Sequence, residues 1–395
     1  MKTVTVLFLT LLSLTVFGQT ETETIKKAND LIANKKYESA FNLLDSLDPK
    51  NNKPDIVLLK ENIVLNYFVS SIMHRMFALK DLEKNEDIMT YRGSNGAFNL
   101  HAFYVDSILE SLIKKEPANC ELYKGLGNYY YEVYSKYEGE WLKSDKELFK
   151  LMQTNFQKTI DDNCADFFSY YVLGYINLVQ EKYKESIHYF LNAIEKNKDY
   201  ADSFYNLACA YLYTNDRQSA LKYAKSSLDL YTDKDYKSDA ARVLGQIYSE
   251  LNDDKNALEN YELADKIDPE NYYNLKPLLN LYVKMGSEKS EETTKAFFDL
   301  APEKPTIYND LVEIYHSYKK ENDLISFYKS QLSNYKDNNK VQGSLNFYLG
   351  MVNIGFDKKI AKEYFLKSKE IFSKVFNKDH QVFKAIDDGL KQCGK

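Results

Sequence analysis

Apolar and small residues recur along the middle of the chain with a period of 34 residues, in the order expected for paired helices. Within each period, one group of positions falls on a first helix and another on a second helix. The first-helix group holds a small residue at Gly174, Ala208 and Gly245, each preceded by Leu, and three extra residues in the loop around 231–237 shift the third copy. The second-helix group holds Ser186, Ala220 and Ala257. The small residues would let two antiparallel helices approach closely, with large aromatic residues filling the remaining space.

This pattern resembles the tetratricopeptide-repeat family, whose units are helix-turn-helix pairs of 34 residues. The third copy carries the most family positions: Ala241, Leu244, Gly245, Tyr248, Ala257, Tyr261, Ala264 and Pro269. The resemblance implies an all-α fold, a right-handed α–α superhelix of about eight or nine helix pairs with a C-terminal capping helix. In this family the inner face of the superhelix is formed by the first helix of each repeat.

The pattern predicts six segments of different regularity. They are a signal peptide (1–18), degenerate helix pairs (19–116), a unit with an elongated helix hairpin (117–163), three well-formed repeats (164–269), degenerate repeats (270–378) and a capping helix (379–395). In the second segment, Ile56 to about Lys84 is predicted as one long helix from its apolar spacing. In the third, the extra residues around Trp141 are predicted to project from the repeats as a hairpin.

The N-terminal residues are typical of a secretory signal. Lys2 precedes an apolar run from Val4 to Val16, and cleavage after Gly18 would leave Gln19 as the first residue. The run is short for a bilayer span. An uncleaved anchor is the less favoured alternative, and we expect an exported protein that is periplasmic or secreted, with no transmembrane segment after cleavage.

Four cysteines in an exported chain could form disulfides. Cys120 and Cys164 each follow Asn in equivalent loops of successive units. A bridge needs Cα atoms within about 7 Å, whereas neighbouring helix axes lie about 8–10 Å apart. The spacing therefore favours unpaired thiols, and a Cys120–Cys164 bridge stays as the alternative.

Composition and motifs argue against several functional classes. A net charge of −6 with interspersed signs does not favour nucleic-acid binding. The five His lack the i, i+4 spacing of a helical zinc site, and the sequence has neither a nucleophile elbow nor a Cys-x-x-Cys pair. The sequence thus predicts no catalytic residues, no metal and no cofactor.

Two lysine–asparagine pairs on first helices, Lys124 with Asn128 and Lys276 with Asn280, resemble half of the family's carboxylate clamp. The other half does not match, because Val172 and Asp310 stand where the following repeat should offer Asn. We instead predict a groove for a partner peptide, with an aromatic zone and a polar zone. Its predicted residues are Phe168, Tyr171, Tyr175, Tyr205, Tyr213, Arg242, Gln246, Lys276 and Asn280. The alternative is that several of these tyrosines belong to the core between repeats.

The favoured function is a non-catalytic exported scaffold that binds a peptide or protein segment in this groove. A glycan-binding accessory protein of a bacterial envelope, with sugars stacked on the tyrosines, is a second hypothesis. The least favoured is an enzyme with a site in the irregular N-terminal region.

Overall fold

The computed structural model describes residues 21–94 and 96–394. The predicted signal peptide and cleavage site lie outside the described residues. The chain forms two compact units, Met1–Ala210 and Tyr211–Lys395. The division falls within one helix, so residues of that helix up to Ala210 are described with the first unit and the others with the second.

In the first unit, helices dominate and follow one another in antiparallel pairs. Residues 21–33 form α1 and end against a turn. The helices after it are α2 (Tyr37–Leu47), α3 (Pro54–Asn66), α4 (Val105–Lys115), α5 (Cys120–Tyr137), α6 (Asp145–Asp161), α7 (Phe167–Val179), α8 (Tyr183–Lys196) and the start of α9 (Ala201–Tyr213).

The second unit continues the same alternation to the C-terminus. Its helices, after the end of α9, are α10 (Arg217–Leu230), α11 (Lys234–Glu250), α12 (Asp254–Ile267), α13 (Tyr272–Met285), α14 (Lys289–Asp299), α15 (Pro305–Ser317), α16 (Glu321–Asn334), α17 (Asn339–Asn353), α18 (Lys358–Phe372) and α19 (Gln381–Gln392). Helix α19 packs on α18 through Ile386 and Phe365 and covers the apolar face that the last pair would otherwise expose. The all-α fold class is confirmed.

Close helix pairing depends on the small residues that the repeat pattern marks. A Cβ on Gly174 of α7 would lie 2.7 Å from the ring of Phe190 on α8. Gly245 of α11 stands in the same relation to Tyr261 on α12, at 2.5 Å. Atoms of ordinary size cannot approach so closely, so these glycines are required for the aromatic rings to pack against the first helix.

The prediction of one long helix from Ile56 to Lys84 is wrong beyond Asn66. The chain instead forms a three-stranded antiparallel sheet in the order β1 (Ser70–Ile72), β2 (Met76–Ala78), β3 (Leu100–Ala102). The turn between β1 and β2 places Met73 and His74 at positive φ, a backbone conformation that no helix contains. Short strands rich in apolar residues have too few positions to distinguish a period of 2 from a period of 3.6.

The elongated pair α5–α6 does not project. Its helices are 18 and 17 residues long, against 13 and 14 for α7 and α8. The connecting segment folds back so that Trp141 is 7 % exposed, and its indole Nε1 donates a hydrogen bond to the Met73 carbonyl at 2.9 Å. The extra residues therefore join this hairpin to the small sheet.

Cys120 and Cys164 form a disulfide, and the expectation of unpaired thiols at these positions is wrong. Their Cα atoms are 6.5 Å apart. Cys120 is the first residue of α5, but Cys164 lies in the loop before α7 rather than on a helix. A loop can approach a helix end more closely than two helix axes can approach each other, which is why the axis spacing misled the prediction.

Candidate binding site

Four of the five aromatic residues of the predicted groove lie in the first unit, and the three on α7 form a cluster with aromatic residues outside the prediction. On α7, Phe168 and Tyr175 are half-buried, and Tyr171 stacks between them with ring centroids at 5.8 and 6.5 Å. Tyr131 of α5 and Tyr200 before α9 meet Tyr171 edge to face. Tyr205 is half-buried on α9.

Tyr171 belongs to the core, so its assignment to a binding surface is wrong. Its side chain is 4 % exposed, and its ring also contacts Phe190 on the second helix of the same pair. Its hydroxyl accepts a hydrogen bond from Asn206 Nδ2 at 3.4 Å, and burial raises its pKa well above the usual range. A ring packed on both faces and at its edge offers no face on which a sugar could stack.

The remaining predicted residues lie in the second unit. Tyr213 is 64 % exposed at the end of α9. Arg242 is held by Asp239 at 2.7 Å, and Gln246 donates to Glu250 at 3.3 Å, each within α11. Lys276 and Asn280 on α13 line a shallow cavity of about 310 Å³ together with Pro277, Glu313, Ile314 and Ser317.

Both lysines of the half-clamps are bound to carboxylates of the chain itself. Lys124 lies 2.9 Å from Glu121 and 3.9 Å from Asp166. Lys276 lies 2.7 Å from Asp310, and this hydrogen bond raises the Lys276 pKa. Because each positive charge already has an acidic partner, neither lysine offers a free cation to a ligand carboxylate.

A larger cavity opens in the first unit, and the first helices α3 and α5 form most of its wall. Its volume is about 450 Å³. Asparagine, acidic and aromatic side chains predominate among the residues that line it. They are Leu58, Glu61, Asn62, Leu65, Asn66, Glu121, Lys124, Gly125, Asn128, Tyr131, Glu132 and, from α7, Phe168. Of the residues predicted for the groove, only Phe168 lines it, and Lys124 and Asn128 of the first half-clamp line it too.

Two of the residues that line the cavity each carry a buried oxygen atom without a hydrogen-bond partner. These atoms are Oε1 of Glu61 and Oδ1 of Asn128. Glu61 is 4 % exposed, and burial alone raises its pKa from 4.5 to about 8. An unpartnered buried acceptor is costly, because its interaction with water is lost without replacement.

Sequence reasoning missed Glu61 because it lies in a degenerate repeat. Helix α3 has no small residue at the position that marks the other first helices, so the repeat pattern did not identify its inner face. The signal that was present is a charged pair, Lys60 and Glu61, in a helix most of whose other residues are apolar and at least partly buried. In a helix with burial on several sides, adjacent charges each need a partner.

The helices are paired, small residues of one helix pack against aromatic rings of the next, and first helices line a cavity. These features are those of an α-helical repeat scaffold. A family model described as Tetratricopeptide repeat matches residues 201–234 and 243–271. These residues are tetratricopeptide repeats, and proteins of that family are generally non-catalytic scaffolds for protein–protein interaction. No curated protein sequence matches the chain.

Solved structures of repeat proteins are similar to the chain at low sequence identity. A tetratricopeptide repeat protein from Parabacteroides merdae is 16 % identical, with 69 % of this chain and 99 % of that chain covered and a TM-score of 0.41. The C-terminal part of a repeat-containing protein from Cytophaga hutchinsonii is 17 % identical (72 % and 93 % covered, TM-score 0.40). YrrB, described as having an unusual peptide-binding site, is 14 % identical (47 % and 95 % covered, TM-score 0.37). These likenesses are too low to indicate what this chain binds.

Within residues 21–94 and 96–394, no helix is both long and apolar enough to cross a membrane. Over the same residues, no group of three or more His, Cys, Asp or Glu is placed to hold a metal ion.

Proposed function

We propose that the protein is an exported, non-catalytic scaffold that binds a segment of a partner protein in the 450 Å³ cavity of its first unit. The observation that carries the proposal is the pair of unpartnered buried acceptors, on Glu61 and Asn128, in a cavity wall formed by first helices. A bound segment would supply the missing donors. This placement of polar groups in a concave wall is typical of a binding site rather than of a packed core.

Export is supported by the disulfide between Cys120 and Cys164, because such bonds persist in oxidising compartments. It is also supported by the signal-like sequence from Lys2 to Gly18. A periplasmic or extracellular partner is therefore the one to seek. The glycan hypothesis has less support, since Tyr171 presents no open ring face.

The proposal is tested by photo-crosslinking from inside and outside the cavity. Asn62 is exposed on the rim of the cavity, whereas Asn322 is exposed on the second-helix element α16 in the other unit. A photoreactive phenylalanine analogue at each position, in the chain from Gln19, is exposed to the native envelope fraction. We expect one protein segment to be crosslinked from position 62 and not from 322.

The companion variant Asn62→Tyr narrows the cavity, and Asn322→Tyr is the same change on the control surface. Capture of that partner should fall with the first variant and stay unchanged with the second. Equal adducts from both positions, or capture insensitive to Asn62→Tyr, would remove the cavity as the binding site.

A further inference from the structure

Lys60 and Glu61 are adjacent buried residues on α3, but only Lys60 has polar partners for its charged group. Lys60 is fully buried, yet its ammonium lies 2.6 Å from both Asp45 Oδ1 and Asn51 Oδ1. It also lies 5.0 Å from the ring of Phe103. Glu61 is almost as deeply buried and has no such partner. The buried ammonium group therefore has hydrogen-bond partners within the fold, and the buried carboxyl group has none.

The chain makes room for the Glu61 carboxyl group. A Cβ on Gly125 of α5 would overlap Oε2 of Glu61 and lie 2.8 Å from Leu58. Glycine at this position leaves space for the carboxyl group against the α5 backbone, and a Cβ would displace the ends of the Glu61 and Leu58 side chains. The carboxyl group therefore lies where the two first helices meet.

Acidic groups outnumber basic ones by three to one among the residues that line the cavity. On α5, the groups that line it are Glu121, Lys124 and Glu132. Lys124 is already engaged by Glu121, and burial raises the Glu132 pKa while the charges of Lys136 and Arg92 lower it. On the other packed elements, Asp166 before α7 approaches Lys124, and Asp45 of α2 is engaged by Lys60.

The ring faces and edges of the cavity fit a cationic ligand. Tyr131 and Phe168 line it, with their ring centroids 5.1 Å apart in an edge-to-face arrangement. Aromatic rings attract ammonium and guanidinium groups electrostatically. Asn128 adds an unpartnered carbonyl oxygen that can accept a hydrogen bond from such a group.

We infer that this cavity binds an alkylammonium or guanidinium group, the side chain of a Lys or Arg in the partner segment, with Glu61 as its ionic partner. The inference rests on the proposed function and specifies the partner's chemistry. The ligand cation donates hydrogen bonds to Glu61 and Asn128, and its alkyl chain lies against Tyr131 and Phe168.

Binding is coupled to the release of a proton. In the empty cavity burial raises the pKa of Glu61 to about 8, so the carboxyl group is mostly protonated at pH 7. A cation at hydrogen-bond distance stabilises the carboxylate, so the proton passes from Glu61 to the buffer as the ligand binds. From a free-state pKa of about 8, roughly 0.9 proton is released per ligand at pH 7, and affinity rises with pH until about 8.

The test is calorimetric titration of the whole mature chain in two buffers of different ionisation enthalpy. The probes are the blocked peptide acetyl-Ala-Ala-Lys-Ala-Ala-amide, the same peptide with Nε-acetyl-lysine, and n-butylammonium. We expect the lysine peptide to bind about tenfold to a hundredfold more tightly than its acetylated form, with release of roughly 0.9 proton. Glu61→Gln, an isosteric neutral variant, should abolish both the preference and the proton release, whereas Asp55→Asn on the exposed start of α3 should keep them.

Three results would overturn the inference: equal binding of the two peptides, a lysine preference that survives Glu61→Gln, or no binding of the lysine peptide at millimolar concentration. If n-butylammonium binds as tightly as the peptide, the ligand is a free amine and the assignment to a partner side chain is wrong. A partner crosslinked from position 62 but captured equally by Glu61→Gln would leave the proposed function in place and remove only this inference.

Discussion

The unpartnered Glu61 predicts a pH dependence of stability that a single substitution removes. Burial raises its pKa from 4.5 to about 8, so the folded chain holds this proton more tightly than the unfolded chain does. Because the folded-state pKa is the higher one, the stabilisation is fully present below about pH 4.5 and is lost as pH rises through about 8. At about 1.4 kcal/mol per pH unit, the loss between pH 5 and pH 8 is roughly 3 to 4 kcal/mol. Glu61→Gln does not titrate and should lack this loss.

The chain contains its own reporter for the measurement. Trp141 is the only tryptophan, it lies in the first unit, and it is 7 % exposed. Urea unfolding followed by tryptophan fluorescence therefore reports on the unit that contains Glu61. The free energy of unfolding of the parent chain minus that of Glu61→Gln is measured from pH 5 to pH 8, so that the other titrating groups cancel.

We expect this difference to fall by roughly 3 to 4 kcal/mol over the range, and the corresponding difference for Asp55→Asn to stay nearly constant. If the Glu61→Gln difference varies by less than about 0.5 kcal/mol, the carboxyl group is not an isolated buried acid and the reasoning about the cavity fails.

Three other predictions concern the packing that supports the cavity. Replacing Cys120 and Cys164 by Ser, which removes a bridge of sequence separation 44, should lower the free energy of unfolding of the first unit by roughly 2 to 4 kcal/mol; an unchanged urea midpoint by tryptophan fluorescence would contradict this. Gly245→Ala should lower the free energy of unfolding measured by calorimetry by about 1–3 kcal/mol, because the added Cβ meets an aromatic ring. Gly355→Ala should be nearly neutral because Gly355 has open space around it. Equal effects of the two substitutions would contradict the argument that Gly245 is needed for close helix packing. Tyr171→Ala should lower the free energy of unfolding by about 3–5 kcal/mol, with Tyr171→Phe as the milder control. A change below about 0.5 kcal/mol is typical of a surface residue and would indicate that Tyr171 belongs to the groove surface.

The repeats could be predicted from sequence because their packing depends on residue size at fixed spacing. Gly174 and Gly245 must be small where an aromatic ring of the second helix crosses, so the sequence records the contact directly. No comparable pattern in the sequence predicts the small sheet. Its strands are three residues long, and their apolar residues also fit a helical period.

The candidate site was only partly predictable for a related reason. The sequence placed Lys124 and Asn128 together on a first helix, and both line the cavity. Tyr171 was assigned to the same face, but a ring of that size beside Phe190 packs into the core. The surroundings of Glu61 are formed partly by α5, which is distant in sequence. The absence of a hydrogen-bond partner for its carboxyl group can therefore be seen only in the structure.

The bridge between Cys120 and Cys164 has a practical consequence for anyone who prepares this protein. It joins the start of α5 to the loop before α7, and a few residues further along Lys124, which lines the cavity, lies 3.9 Å from Asp166. The width of that opening is therefore a property of the oxidised chain. Material purified from a reducing cytoplasm without reoxidation would lack this brace, and a ligand screen on it would sample a different opening.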